Sequence, residues 1–112
     1  VAYVPVPMPD YWLKDEEKLL VGQVSAVALH TPGHTPGSMS FHFPDDNVVV
    51  AGDTLFRGSI GRTDLWGGDF DAIEQSIRER LYTLEDATIV VTGHGPETEI
   101  GVEKTTNQFV RV

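Results

Sequence analysis

The middle of the chain carries its apolar residues in the pattern of three consecutive β-strands. Residues 24–29 form a run of small and β-branched side chains, which is typical of a buried strand. Apolar and polar residues then alternate over residues 39–43, and a run of three valines follows at 48–50 after a Pro-Asp-Asp-Asn turn. We therefore predict a meander of three strands that pair in chain order.

The second half of the chain favours helix, strand and helix in turn. Apolar residues recur every three or four positions over residues 70–84, which predicts an amphipathic helix with Asp71 and Glu74 as its capping pair. Residues 88–93 predict a short buried strand, and residues 99–112 favour a helix over a strand.

Three other segments give weaker patterns. Prolines at alternate positions of residues 1–10 predict an extended lead-in, and residues 11–22 favour two short strands about a charged turn. Glycines interrupt residues 54–69, which predicts a loop. The fold class expected from all segments is α/β (α+β), a mainly antiparallel sheet with helices on one face, in a single domain over residues 1–112.

Composition excludes several classes of partner. Eight basic and seventeen acidic side chains give a net charge of −9, which repels phosphate backbones and anionic lipids, so we expect neither a nucleic-acid nor a membrane partner. The chain has no cysteine, which excludes disulfides, thiolate metal ligands and a thiol nucleophile. No apolar run approaches the roughly 20 residues of a membrane span. We expect a soluble, cytoplasmic protein.

Three polar residues each follow a predicted strand in a bend with an adjacent glycine. They are His34 in Pro-Gly-His, Asp53 in Ala-Gly-Asp and His94 in Thr-Gly-His. Glycine lets the chain turn sharply, so these side chains can project from the sheet edge towards one point. Two imidazoles and a carboxylate suit Zn²⁺, Fe²⁺ or Mn²⁺. The pattern predicts a metal site, although any one of these residues alone is more typical of an ordinary loop.

Together the three bends resemble a known family. The stretches HTPGHTPGS, VVVAGDTLFRGSIGRTDL and TGHGPETEIGVEKTTNQF are similar to the C-terminal half of the metallo-β-lactamase superfamily, nearest its glyoxalase II-like (hydroxyacylglutathione hydrolase-like) branch. The resemblance implies half of an αββα sandwich and hydrolysis of a small-molecule thioester with two Zn²⁺ ions, or Fe or Mn. It further implies that His34 completes one metal site and His94 the other. Asp53 would bridge both metals as the catalytic carboxylate, and Arg62 would border the substrate pocket.

The chain also departs from that family. The His-x-His-x-Asp-His signature lies upstream in relatives, and residues 1–22 contain no histidine. Each metal would keep two protein ligands, fewer than the three or four of stable zinc sites, so we expect metal to be weakly bound or absent and the chain alone to be weak or inactive. Ile60 stands where many glyoxalases have cysteine, which weakens the case for glutathione thioesters.

Several alternatives remain open from the sequence. The chain could be a non-catalytic, truncated fragment that forms a homodimer or pairs with a complementing N-terminal half, because one apolar face of the sheet would otherwise be uncovered. It could be a mononuclear iron persulfide dioxygenase, which in this fold uses two histidines and an aspartate. It could also be an α/β module whose three bends bind nothing.

Overall fold

The computed structural model describes residues 15–64 and 67–112 and shows a six-stranded sheet with a separate two-stranded hairpin. In chain order the strands are β1 (Glu17–Val21), β2 (Val24–His30), β3 (Met39–Phe43), β4 (Val48–Gly52), β5 (Leu55–Phe56), β6 (Ser59–Ile60), β7 (Ile89–Thr92) and β8 (Thr98–Glu99). The helices are α1 (Phe70–Ser76), which continues into a π-helical turn (Ile77–Leu81), and α2 (Ile100–Thr106). The large sheet has the order β1-β2-β3-β4-β7-β8, and β5 pairs with β6.

The predicted meander is confirmed. Strands β2, β3 and β4 pair antiparallel in chain order, with Ala28 opposite Phe41 and Phe41 opposite Val50. Strand β7 then pairs with β4 in parallel, and the register shifts between Val50 and Gly52. Because both strands run the same way, their carboxyl ends meet at one edge of the sheet. This edge is where the Asp53 and His94 bends lie.

The hydrophobic core lies between one face of the sheet and the two helices, as predicted. Its buried apolar residues are Leu29, Val49, Ala51, Leu55, Ile73, Ile77, Leu81, Tyr82, Val90, Ile100 and Val110. The other face of the sheet carries Phe41, Val50 and Val91, which are half-buried, and Ile89, which is exposed. Among the described residues, no helix is long and apolar enough to cross a membrane.

Two local predictions are wrong. Residues 54–69 are not all loop, because β5 and β6 form a hairpin whose turn contains Gly58 at φ +75°, a conformation that glycine adopts without strain. Asp71 does not cap α1, because the N-cap is Asp69, whose carboxylate accepts a hydrogen bond from the Ala72 amide at 3.1 Å. The extended lead-in expected at 1–10 and the first short strand expected within 11–14 lie outside the described residues.

Candidate metal centre

The bend that carries His34 is held by its own hydrogen bonds and by α1. The Thr31 amide donates to the Ser38 carbonyl at 2.9 Å, which closes the loop between β2 and β3. The Gly33 carbonyl accepts from the Asp69 amide at 2.7 Å, at the start of α1. A Cβ at Gly33 would lie 2.2 Å from that of Ile73, so only glycine lets the bend approach the helix this closely. The bend is therefore fixed on both sides.

A backbone carbonyl orients the His34 ring. Nδ1 of His34 lies 2.9 Å from the carbonyl oxygen of Arg62, and since that oxygen can only accept, Nδ1 carries the proton. Nε2 of the same ring faces Oδ2 of Asp53, at 3.7 Å. A histidine whose second nitrogen donates to a carbonyl is the usual arrangement of a metal ligand.

Two glycines enclose Asp53, which follows β4. A Cβ at Gly61 would lie 1.7 Å from the Asp53 carbonyl oxygen, and a Cβ at Gly93 would lie 2.4 Å from Asp53 Oδ1. The Gly93 amide also donates to the Gly52 carbonyl at 2.7 Å, which draws the end of β7 against the end of β4. A side chain at Gly61 would displace the backbone of Asp53, and one at Gly93 would displace its carboxylate.

His94 follows β7 and approaches the other oxygen of the same carboxylate. Its Nδ1 lies 3.2 Å from Asp53 Oδ1, and its side chain is 80% exposed, against 23% for His34. The hydroxyl of Thr92 donates to the His94 carbonyl at 2.7 Å and closes the turn. The ring of Phe56, on β5, lies beside the imidazole with the centroids 6.2 Å apart.

Oδ1 of Asp53 is the unusual atom of this cluster. It is buried, and no hydrogen-bond partner reaches it within the described residues. The His94 ring lies at a short distance but does not have the orientation of a hydrogen bond, so its contact is only electrostatic. Buried carboxylate oxygens are normally paired, because leaving one unpaired costs roughly 1–3 kcal/mol or more. An unpaired oxygen on a carboxylate that lies between two imidazoles fits a bound cation.

The spacing of the donors also fits cations. Metal–ligand bonds of about 2.0–2.2 Å allow two donors on one ion to lie at most about 4 Å apart. Both contacts to Asp53, 3.7 Å from His34 and 3.2 Å from His94, fall within that limit. Within residues 15–64 and 67–112, however, no group of three or more His, Asp or Glu side chains is arranged so that it could hold a metal ion by itself. The three residues thus lie together as predicted, and their role as ligands stays a prediction.

Arg62 lies at the site through its backbone. Its guanidinium makes two hydrogen bonds of 3.0 Å to the carboxylate of Asp64, and this pairing raises the pKa of Arg62 and lowers that of Asp64. The side chain is exposed, and a substrate would have to compete with Asp64 for it. Substrate binding by Arg62 stays a prediction. The contact of its carbonyl with His34 gave no signal in the sequence, because a backbone carbonyl is present at every position.

The other two histidines lie away from this cluster. Nε2 of His30 lies 2.9 Å from the Pro36 carbonyl. His42 is half-buried on β3, where burial lowers its pKa and the charge of Glu85 partly opposes the shift. Neither His30 nor His42 forms an ion pair with Asp53; its two partners among the described residues are His34 and His94.

Sequence comparison identifies a family and several relatives of this chain. The sequence profile of the Metallo-beta-lactamase superfamily matches residues 1–94. The probable metallo-hydrolase YqgX of Bacillus subtilis is 44% identical over 101 residues, which are 90% of this chain and 48% of that protein. The hydroxyacylglutathione hydrolase GloC of Haemophilus influenzae is 42% identical over 104 residues, 92% of this chain and 49% of that protein. The chain thus spans about half the length of these curated relatives.

Solved structures show the same fold. The BLEG-1 B3 metallo-beta-lactamase superposes with a TM-score of 0.85 and 44% identity, over 90% of this chain and 48% of that one. TTHA1623 in a di-iron-bound form superposes with a TM-score of 0.83 and 42% identity, over 93% of this chain and 50% of that one. ETHE1 from Myxococcus xanthus superposes with a TM-score of 0.80 and 34% identity, over 86% of this chain and 44% of that one. These neighbours confirm the predicted class, an α/β sandwich with a mainly antiparallel sheet.

Proposed function

Since this chain belongs to the metallo-beta-lactamase superfamily, we propose that it is part of a metal-dependent hydrolase that acts on thioesters, as in the glyoxalase II-like branch. One observation carries the proposal: the buried, unpaired oxygen of Asp53, on a carboxylate that faces an imidazole on each side. The similarity to GloC, at 42% identity, supports the thioester class of substrate.

In this proposal His34, Asp53 and His94 would hold the cations, two Zn²⁺ ions or their Fe or Mn equivalents. A cation bound there would supply Lewis-acid activation of water and of a substrate carbonyl. The chain's own residues supply the orientation. Oδ2 of Asp53 serves the His34 side and Oδ1 the His94 side, while the Arg62 carbonyl keeps the proton of His34 on Nδ1. The exposed face of His94 leaves room for a small substrate.

We also propose that the remaining ligands come from protein outside these 112 residues. The three donors give each cation two protein ligands, whereas catalytic zinc sites use three and leave one position open. A complementing N-terminal half would supply such ligands and cover the apolar face around Phe41, Val50 and Ile89. A second copy of this chain is the alternative cover, and in that case the fragment would be non-catalytic.

A mononuclear iron dioxygenase is the second candidate. Two histidines and one carboxylate are the donor set of non-haem iron oxygenases, and the ETHE1 structure has a TM-score of 0.80 with this chain. The opposed placement of the two imidazoles, one at each oxygen of Asp53, favours two cations over one. We therefore place the hydrolase first.

Metal analysis together with a thioester assay tests these assignments. For this chain joined to a complementing N-terminal half, two equivalents of zinc and hydrolysis of a hydroxyacyl-glutathione thioester, both lost in Asp53→Asn and both kept in Asp45→Asn, would support the hydrolase. Asp45 is the matched control because it is an exposed aspartate in the turn between β3 and β4, at the opposite end of β4 from Asp53. One equivalent of iron without hydrolysis would favour the dioxygenase. A dimer without metal, with or without added zinc, would favour the non-catalytic fragment.

A further inference from the structure

We propose that Glu103 and Asn107, on and just after α2, are positioning residues that set the β5–β6 hairpin and thereby aim both imidazoles at Asp53. The inference rests on the proposed function in one respect: the orientation of the two imidazoles matters for activity only if they bind a metal. Neither residue contacts the three candidate ligands in any recorded hydrogen bond.

Glu103 is a fully buried acid with three hydrogen-bond donors around it. Oε1 accepts from the Gly58 amide at 2.9 Å and from Nδ2 of Asn107 at 2.8 Å, and Oε2 accepts from the Thr98 hydroxyl at 2.6 Å. Gly58 is in the turn of the hairpin, at φ +75°. One carboxylate therefore joins the hairpin turn to α2 and β8.

Asn107 makes the second connection from α2 to the hairpin. It is fully buried, and Nδ2 donates to the Ser59 carbonyl at 3.0 Å as well as to Glu103. Its Oδ1 accepts from the amides of Phe109 and Val110 at 2.8 and 3.0 Å, which locks the chain after α2. The amide of Gln108 also lies 3.4 Å from the Gly58 carbonyl. The hairpin turn is thus held through both its donors and its acceptors.

The hairpin in turn touches both imidazoles. It begins directly after Asp53 and Thr54, and Gly61 at its far end donates to the Thr54 carbonyl at 3.1 Å. The next residue supplies the Arg62 carbonyl that fixes the His34 ring. On the other strand of the hairpin, Phe56 lies against the His94 ring. A shift of the hairpin would therefore move the partners of both rings at once.

A stabilising role alone does not require a buried carboxylate here. Replacing buried charged groups by well-packed apolar residues is often neutral or stabilising, because removing a charge from water is costly. What a carboxylate with three fixed donors adds is a defined register between α2 and the hairpin. Such a register matters at this place because the hairpin carries the contacts that orient the rings.

Four variants separate positioning from stability. Glu103→Leu removes both oxygens that accept from Gly58, Asn107 and Thr98, and Asn107→Ser shortens the link to Ser59. Thr88→Val and Tyr82→Phe are the controls. The hydroxyl of Thr88, a buried residue, donates to Oδ1 of Asn47 at 3.1 Å, and that of Tyr82 donates to the Val110 carbonyl at 2.7 Å. Each control removes one of these hydrogen bonds and leaves the Glu103 side chain and the hairpin contacts in place. Urea unfolding gives the stability of each.

The decisive readout is the protonation pattern of the His34 ring, measured by long-range ¹⁵N–¹H correlation NMR on metal-free protein. Wild type, Thr88→Val and Tyr82→Phe should show a single tautomer protonated at Nδ1. Glu103→Leu and Asn107→Ser should show a mixture of tautomers, because the Arg62 carbonyl is no longer held in place. If Glu103→Leu does not unfold cooperatively, Asn107→Ser provides the test alone, since Glu103 keeps its bonds to Gly58 and Thr98 there. An unchanged tautomer in the folded positioning variants, or an equal change in the controls, would overturn the inference.

Zinc titration forms the second arm and keeps the two proposals apart. Loss of an orienting outer contact lowers metal affinity by about 10–100-fold, so we expect that loss in Glu103→Leu and less than a roughly twofold change in the two controls. If zinc binds neither this chain nor the chain joined to a complementing N-terminal half, the proposed function fails while the tautomer result still decides the positioning. If zinc binds equally to all variants, the positioning inference fails and the proposed function stands.

Discussion

Replacing Asp53 by asparagine should make the protein more stable than wild type without metal and less stable than wild type with metal bound. In metal-free protein Oδ1 of Asp53 is buried and unpaired, beside a glycine whose Cβ position is 2.4 Å away. An asparagine at this position removes the negative charge from the buried, unpaired site. An unpaired buried acceptor costs roughly 1–3 kcal/mol, and since the Asp53 side chain is 28% exposed, the low end applies.

The expected magnitudes are measurable in a chain of this size. Asp53→Asn should be more stable than wild type by about 1 kcal/mol without metal, which raises the Tm by about 4 °C in a domain near 100 residues. At a metal concentration 100 times its Kd, wild type should gain about 2.7 kcal/mol, and the variant should gain little. The two melting curves should therefore exchange order when zinc replaces chelator.

Thermal unfolding followed by circular dichroism, with chelator and then with zinc, is the assay. Asp64→Asn is the control and should behave as wild type in both conditions, because Asp64 is exposed and pairs only with Arg62 among the recorded ion pairs. An equal rise in Tm on adding zinc to wild type and Asp53→Asn would refute the role of Oδ1. A metal-free variant less stable than wild type would refute the cost assigned to its burial.

Three further predictions concern single positions. Gly93→Ala should lose about 1–3 kcal/mol of unfolding free energy in urea through overpacking, whereas Gly37→Ala, with open space at its Cβ, should lose nothing measurable. Asp69→Ala should cost about 1 kcal/mol by loss of the helix cap, and Asp71→Ala should cost clearly less; equal losses would contradict the capping assignment. Burial lowers the pKa of His42 in the folded state, so unfolding takes up a proton and stability should fall as the pH drops below about 6.5. His42→Gln should weaken that fall in urea titrations at pH 7.5 and 5.5, and an unchanged fall would contradict it.

The sequence predicted the elements that have a clear period. The alternation over β3, the valine run of β4 and the helical spacing from Phe70 each extend over enough residues to identify a strand or a helix. The glycine bends predicted that His34, Asp53 and His94 would approach one another, because all three follow strands that end at neighbouring places in the sheet. The distances to Asp53 agree with that expectation.

The features that were missed depend on short or backbone contacts. Strands β5 and β6 have two residues each, which is too short for any period to appear. Asp69, and not Asp71, caps α1 because the Asp69 amide donates to the Gly33 carbonyl, which fixes the start of the helix. Gly33 is distant in the sequence, so no local pattern could predict this contact. The burial of Glu103 likewise follows from where the hairpin packs, and a glutamate on a short helix is more often exposed.

The parallel pairing of β4 with β7 bears on the order of events during folding. Asp53 and His94 become neighbours only after the intervening chain, with its hairpin and α1, has crossed back over the sheet. Such distant pairings form late, since the entropy of loop closure is lost before the stabilising contacts between the strands can form. A cation could therefore not gather these two side chains in the unfolded chain, and adding one at the start of refolding should leave the refolding rate unchanged while it slows unfolding.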